Sequence, residues 1–298
     1  MTTALAAPHR SARRLMRDVA SVFKLRIGVL IMITALAGVA VAPGESPGML
    51  QVLALALAVL LASASAGAFN QYFEFESDAL MARTRRRVFV TGALQPSRAW
   101  LLVIAAMLAA AVALAAFLLN AASASYVFLG AFFYAVVYTM WLKRRTWLNI
   151  VIGGLAGSFA VLAGAAAVDP AIGAQPALLA LVLFLWTPPH FWSLAIANQA
   201  DYANAQVPML PVVVGPERAA RVVFWNTVAL AAASLLPVVF GAGPIYLAGA
   251  VAGSGYFIYR AWGLARTPSR ETAMRAFMAS LIQLSVLLAA AFIDSAVG

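Results

Sequence analysis

The stretch from Asn70 to Arg87 reads NQYFEFESDALMARTRRR and holds three of the chain's ten acids within five residues. Asn70, Glu74 and Asp78 recur every four residues, which on a helix continuing from an apolar run sets them along one face. Glu76 lies half a turn away. Two carboxylates and an amide oxygen are hard ligands suited to Mg²⁺, which commonly shares its shell with substrate phosphates. Arg83, Arg85, Arg86 and Arg87 come next, and guanidinium groups hold phosphate oxygens through forked donors. Carboxylates for metal beside arginines for anion are what binding a magnesium diphosphate requires. The arginines alone also suit a solvated cytoplasmic loop. Acids contribute little to membrane topology, so that reading leaves the acids unexplained.

A second polar cluster, NQADYANAQVPMLP, carries Asn198, Asp201, Tyr202 and Asn204. Asp201 is a candidate second ligand for metal or diphosphate. It lies four predicted helices after the first cluster and on the same membrane face, an arrangement like an internal duplication without a residue-level repeat. YTMWLKRRTWLNIVIGG sets Lys143, Arg144, Thr146 and Asn149 at the mouth of a predicted bundle, beside Trp141 and Trp147 as interface anchors. LWTPPHFW puts His190 inside an apolar run. A single buried histidine is usually a hydrogen-bonded packing residue, yet ionisable groups at membrane depth commonly mark function.

The elements that must carry these residues follow from composition. The chain of 298 residues is 64% hydrophobic and 10% charged, with mean hydropathy +0.92. Soluble domains carry about 25% charged residues, so the fold class is all-α, a polytopic membrane helix bundle. A span needs roughly 20 apolar residues. Nine are predicted, at 22–42, 48–70, 98–119, 123–142, 147–168, 174–197, 218–241, 243–264 and 272–293. Pro- and Gly-rich turns such as APGESPG and DPAIGAQP separate them. All 20 Lys and Arg fall in or beside alternate connections, which orients the amino terminus and the long loops to the cytoplasm. The +10 net charge is therefore a topology signal, with no nucleic-acid partner implied. No cysteine is present, which excludes disulfides and thiolate chemistry. The basic start resembles a signal peptide, but its apolar segment is long for one and Pro43 follows the small-residue site, so it reads as a retained helix. The organisation expected is a basic cytoplasmic segment at 1–21 and one intramembrane domain at 22–298.

Taken together, NQYFEFESDALMARTRRR, YTMWLKRRTWLNIVIGG, LWTPPHFWSLAI, DYANAQVPMLPVVVG and RAFMASLIQLSVLL resemble, in order and from about residue 20 to 293, the protohaem farnesyltransferases, or haem O synthases. These are a branch of the intramembrane UbiA-type prenyltransferases. The resemblance implies a nine-helix bundle with a central cavity under charged cytoplasmic cap loops, and an Mg²⁺-dependent enzyme joining farnesyl diphosphate to the vinyl group of haem B, with water, to give haem O and diphosphate. It implies Asn70, Glu74, Asp78 and Asp201 as catalytic metal ligands. Arg83, Arg86, Lys143 and Arg144 would hold diphosphate, Asn149 and Tyr202 would belong to the substrate site, and His190 would contact haem. The setting implied is the bilayer of a bacterial inner membrane rather than a mitochondrial one. Haem A synthase or terminal oxidase assembly would be neighbours in function.

Four positions depart from the family pattern. Glu74 stands where Asp is usual, and Val88 where Pro is. Gln206 replaces a loop Gly, and Asn198, Gln199 and Ala200 stand where another charged residue is common. All four lie in loops around the implied site. They keep open a related enzyme with another aromatic or lipid acceptor, and a non-catalytic haem-binding assembly protein.

Overall fold

A computed structural model describes residues 11–297. The first ten residues of the basic segment, Arg10 included, lie outside the described residues. In chain order the helices are α1 (Ala12–Val22), α2 (Leu25–Val41), α3 (Met49–Phe73), α4 (Phe75–Ala79), α5 (Arg98–Leu118) and α6 (Ala121–Phe132). A π-helix at Phe133–Leu142 continues α6. It is followed by α7 (Asn149–Gly153), α8 (Leu155–Val168), α9 (Ala174–Ala197), α10 (Gln199–Asn204), α11 (Leu210–Val214), α12 (Pro216–Val239), α13 (Pro244–Arg266) and α14 (Arg270–Val297). Among the described residues there is no strand. Every long apolar run has become a helix, because in lipid a backbone must satisfy its own hydrogen bonds.

Helical segments occupy all nine predicted places, but nine spans are not what length and hydropathy support. Seven helical segments qualify, and an eighth if α1 and α2, bent by 45°, act as one. The ninth place is α13, whose glycines, serine and tyrosines dilute its apolar content. Those small residues serve packing: a Cβ on Gly249 would meet the Ala290 Cβ on α14 at 2.4 Å. Among the described residues the bundle has two large apolar packings and a small third one of Val22, Ala68, Val88, Phe89 and Ile104. Of the large two, one gathers residues of α2, α3, α5, α6 and α8, the other residues of α8, α9, α12, α13 and α14. The seam between them is the α2–α8 contact. There a Cβ on Gly38 would lie 2.1 Å from the Val161 carbonyl oxygen, and one on Gly164 1.8 Å from that of Ala35. Only glycine permits so close an approach.

Two local features position the site. First, α3 does not run unbroken through Asp78. Glu74 closes it with φ −102° and ψ 7°, and α4 starts at the next residue. The hydrogen bonds Glu74 N–H to Asn70 O (3.0 Å) and Asp78 N–H to Glu74 O (2.8 Å) keep the four-residue ladder across the break. The predicted stripe therefore survives. Second, the end of the fourth predicted span is a π-helix instead of an α-helix, closed by Lys143 N–H on Tyr138 O at 2.9 Å. The wider coil resets the register at which Thr139 and Lys143 arrive; such segments frequently mark functional positions.

Candidate active site

Asn70, Glu74 and Asp78 are 3%, 1% and 1% exposed. Ionised carboxylates so deep require partners, and each has one. The Lys143 ammonium lies 2.5 Å from Glu74 Oε2, which also accepts from the Asn70 amide at 2.7 Å. That amide donates as well to Thr139 Oγ1 at 3.1 Å. The Lys24 ammonium donates to Asn70 Oδ1 at 2.6 Å. Arg87 lies 2.5 Å from Asp78 Oδ2. Thr84 Oγ1 donates to the Asp78 carbonyl at 2.8 Å, which folds the arginine loop back over the helix end. The Lys143 and Lys24 ammonium groups stand over the rings of Tyr138 and Tyr134, 5.7 and 6.0 Å from their centroids. These two rings stack at 5.6 Å.

The second acidic segment reaches the first. Asp201 Oδ2 accepts from the backbone N–H of Arg83 at 3.4 Å. Tyr202 is buried beside it, and Tyr138 lies within electrostatic range of both Tyr202 and Glu74. Asn149 is fully buried, its amide donating to the Lys143 and Thr146 carbonyls at 3.3 and 2.7 Å. That bond fixes the backbone bearing Lys143.

The remaining cations named for diphosphate stand outside the pocket. The Arg83, Arg86 and Arg144 side chains are exposed, and none forms an ion pair among the described residues. Arg83 contributes its backbone amide to Asp201, and Arg87 is the arginine of this loop that pairs with an acid. Nor do the acids meet as one cluster: among the described residues no three His, Cys, Asp or Glu side chains gather as a metal site. Like charges repel at low dielectric, and Lys143, Arg87 and the Arg83 amide each draw one acid aside. Two oxygens still fit a cation. Asp78 Oδ1 and Asn149 Oδ1 are buried without any partner, and a buried acceptor left unmatched is costly unless something binds it. Oxygen donors are the set that Mg²⁺ accepts.

Lys24 was not among the residues singled out from sequence. It holds a left-handed conformation, φ 48° and ψ 41°, and lies two residues before Arg26 at the head of an apolar run. A lysine beside an arginine at the head of a span was the available signal.

His190 belongs to another part of the bundle. Its ring lies between Trp186 (centroids 4.1 Å, 20°) and Phe277 (4.5 Å, 29°), and its Nδ1 is 2.6 Å from Ser280 Oγ. The Ser280 hydroxyl hydrogen is already donated to the Phe277 carbonyl at 2.6 Å. The Nδ1–H must therefore donate to Ser280, which leaves the Nε2 lone pair free in the neutral ring.

These helices and contacts make a multi-pass, membrane-embedded helical protein with a buried pocket of oxygens matched by cations at one end. The chain belongs to the UbiA prenyltransferase family, whose pattern matches residues 31–286, and it is a prenyltransferase. It is 56% identical over 279 residues to protoheme IX farnesyltransferase 2 of Paramagnetospirillum magneticum, covering 94% of this chain and 97% of that one. With protoheme IX farnesyltransferase 1 of Cenarchaeum symbiosum it shares 39% over 288 residues, 94% and 96% of the two chains. The fold is that of a digeranylgeranylglyceryl phosphate synthase structure, with TM-score 0.78 at 18% identity over 94% of this chain and 98% of that one. It is also that of a UbiA homologue from Archaeoglobus fulgidus solved with DMAPP and Mg²⁺, with TM-score 0.66 at 15% identity over 90% and 98%.

Proposed function

We propose that the protein transfers the farnesyl group of farnesyl diphosphate to a vinyl carbon of haem B, with addition of water, giving haem O and diphosphate in an Mg²⁺-dependent reaction. The observation that carries this reading is Asp78: a carboxylate 1% exposed, with one oxygen on Arg87 and the other unmatched. Its relatives' names supply haem as the acceptor, and the Mg²⁺ in a structural neighbour supports the metal.

Asp78, Glu74, Asn70 and Asp201 would hold the metal, which when bound would neutralise the diphosphate and make it a better leaving group. Lys24, Lys143 and Arg87 already stand against those oxygens. They stabilise the negative charge that develops as the allylic C–O bond breaks, a fixed field requiring little rearrangement. The Tyr134 and Tyr138 ring faces offer an electron-rich surface to the allylic cation. The apolar bundle keeps water from quenching that cation early. The vinyl terminal carbon then forms the new C–C bond, water adds to the resulting carbocation next to the porphyrin, and one proton leaves. His190 presents Nε2 to the haem, with iron as the group such a lone pair suits. Arg83, Arg86 and Arg144 lie outside the buried pocket and would meet the diphosphate as it enters.

The reading extends to place and company. One domain spans 22–298 after a basic segment at 1–21, in a bacterial inner membrane with the amino terminus cytoplasmic, supported by the distribution of Lys and Arg. The product would pass to haem A synthase or oxidase assembly. Purified protein incubated with haem B, farnesyl diphosphate and Mg²⁺ should yield a porphyrin heavier by one farnesyl group and one hydroxyl. Recovery of haem B alone would overturn the assignment.

A further inference from the structure

Helix α1 has no role in that chemistry, yet its pattern is distinct. Residues Ala12–Val22 divide by helical spacing into two faces. Leu15, Met16, Val19 and Ala20 fall on one, and Arg13, Arg14, Arg17 and Ser21 on the other. Among the described residues the first two turns of the apolar face are open, with Leu15 46% and Met16 67% exposed, while Val22 at its end is buried. A helix with a bare apolar side and a cationic side has the composition of one lying in a membrane interface. Its position agrees, since it leads through a 45° bend directly into the apolar helix α2. The Leu15 side is therefore delivered to the bilayer boundary by the chain itself.

The carboxyl end of α1 is tied to the buried pocket. The Gln71 amide donates to the carbonyls of Ser21 and Val22 at 2.9 and 3.0 Å, and these belong to the last turn of α1. Two residues on, Lys24 holds its left-handed turn and donates to Asn70 Oδ1. Asn70 and Gln71 are adjacent on α3. One short stretch of chain therefore connects the arginine face to a proposed metal ligand.

We propose that α1 is an anchor for anionic lipid headgroups, and that its seating on the charged leaflet holds Lys24 against Asn70. The occupant of the face is the lipid surface. Three arginines against one acid, Asp18, match a negative leaflet, and the continuity with α2 fixes the apolar side at the acyl boundary. Near such a surface each arginine favours seating roughly fivefold. The link to diphosphate binding rests on the function proposed above, whereas the seating does not.

Since the chain has no cysteine, a single Leu15→Cys or Ser21→Cys change gives a clean attachment point for a fluorophore on the full-length protein. In nanodiscs containing phosphatidylglycerol, lipid-borne nitroxide should quench the label at position 15 several-fold more than the label at 21, and aqueous iodide should show the reverse. Neutral phosphatidylcholine discs, or an Arg13→Gln/Arg14→Gln/Arg17→Gln background, should reduce that contrast at least about fivefold. Equal quenching at both positions in every lipid would overturn the anchor. Efficient disulfide formation between two copies of a Met16→Cys variant would overturn it too, by naming a second copy as the occupant. For the coupling, affinity for inorganic pyrophosphate with Mg²⁺ should fall about fivefold in neutral discs. Unchanged affinity with intact seating would overturn the coupling alone. No pyrophosphate binding in any disc would defeat the proposed site and leave the anchor to be decided by the quenching.

Discussion

Residues 70–87 and 198–209 each bring acid to the same end of the bundle, but the fold treats them differently. In the first, Glu74 and Asp78 are almost fully enclosed and each meets a full cation. In the second, Asp201 is half-buried and accepts one long bond, 3.4 Å, from a neutral backbone amide. The first segment continues α3 and is fixed by side chains from α2, the π-helix and the arginine loop. The second is a six-residue helix at the end of α9. A prepared charge pocket is therefore paired with an arm whose acid side chain is only lightly held. Turning Asp201 toward a ligand would cost little at its own side chain, where one long bond is broken, although Tyr202, Val207 and Met209 beside it are packed in the core.

The comparison would break first at Asp78. Asp78→Ala should lower Mg²⁺-dependent turnover by about 10³-fold, while Asp201→Ala, on the lightly held side, should lower it by about 10²-fold with KM for farnesyl diphosphate raised more than for haem. Steady-state kinetics in detergent would decide. Equal losses, or a larger loss for Asp201, would show that the enclosed acid is not the dominant one. The second break is in stability. Lys143→Met leaves Glu74 buried with only the Asn70 amide for company, and removing one partner of a buried pair costs about 3 kcal/mol. Arg87→Met should cost less, since its side chain is 22% exposed and water can replace it. Thermal unfolding of the two variants should rank them in that order.

Glu74→Asp sharpens the same contrast. The glutamate reaches both Lys143 and Asn70 at short distance, so the pocket is closed around its full length. Shortening it should lower kcat about tenfold, because misplacement of about an ångström is costly at a reacting site. An unchanged or higher rate would show that the oxygen position is slack. On the haem side, Ser280→Ala removes the acceptor that sets the His190 tautomer. Groups that orient a metal-binding histidine commonly contribute 10- to 100-fold in affinity. Haem B titration should show about tenfold weaker binding and a displaced Soret band, while pyrophosphate binding stays unchanged.

Hydropathy made the helix positions legible, since apolar runs in lipid have few alternatives to helix. It did not reveal the π-helix, whose residues Phe133–Leu142 read as an ordinary span end, or the break at Glu74. Both depend on how neighbouring helices pack. Spacing found Asn70, Glu74 and Asp78 because four-residue recurrence survives the break. It could not tell Arg83, Arg85, Arg86 and Arg87 apart. In a loop without regular period, only the fold decides which guanidinium turns inward, and it chose Arg87. Lys24 was hidden for the same reason: its partner lies 46 residues away on another helix. The ion pairing that separates the acids is likewise a tertiary effect, which no spacing encodes.

The smallest effect tests the lightly held arm. Gln206 stands in the loop before PMLP with φ 54°, a left-handed conformation that crowds a Cβ against the backbone by about 1 kcal/mol. Glycine relieves that crowding but adds freedom to the unfolded chain, which returns part of the gain. Gln206→Gly should therefore raise stability by about 0.5 kcal/mol at most. If the loop must move with Asp201, the same change should lower KM for farnesyl diphosphate about twofold while leaving pyrophosphate-independent haem binding alone, because a residue free to leave φ 54° costs less to reposition. Gln206→Ala controls for loss of the side chain, as it keeps the Cβ and the strain. An Ala variant that matches the Gly variant in KM would assign the effect to the lost amide, and any movement of the arm would then owe nothing to this turn.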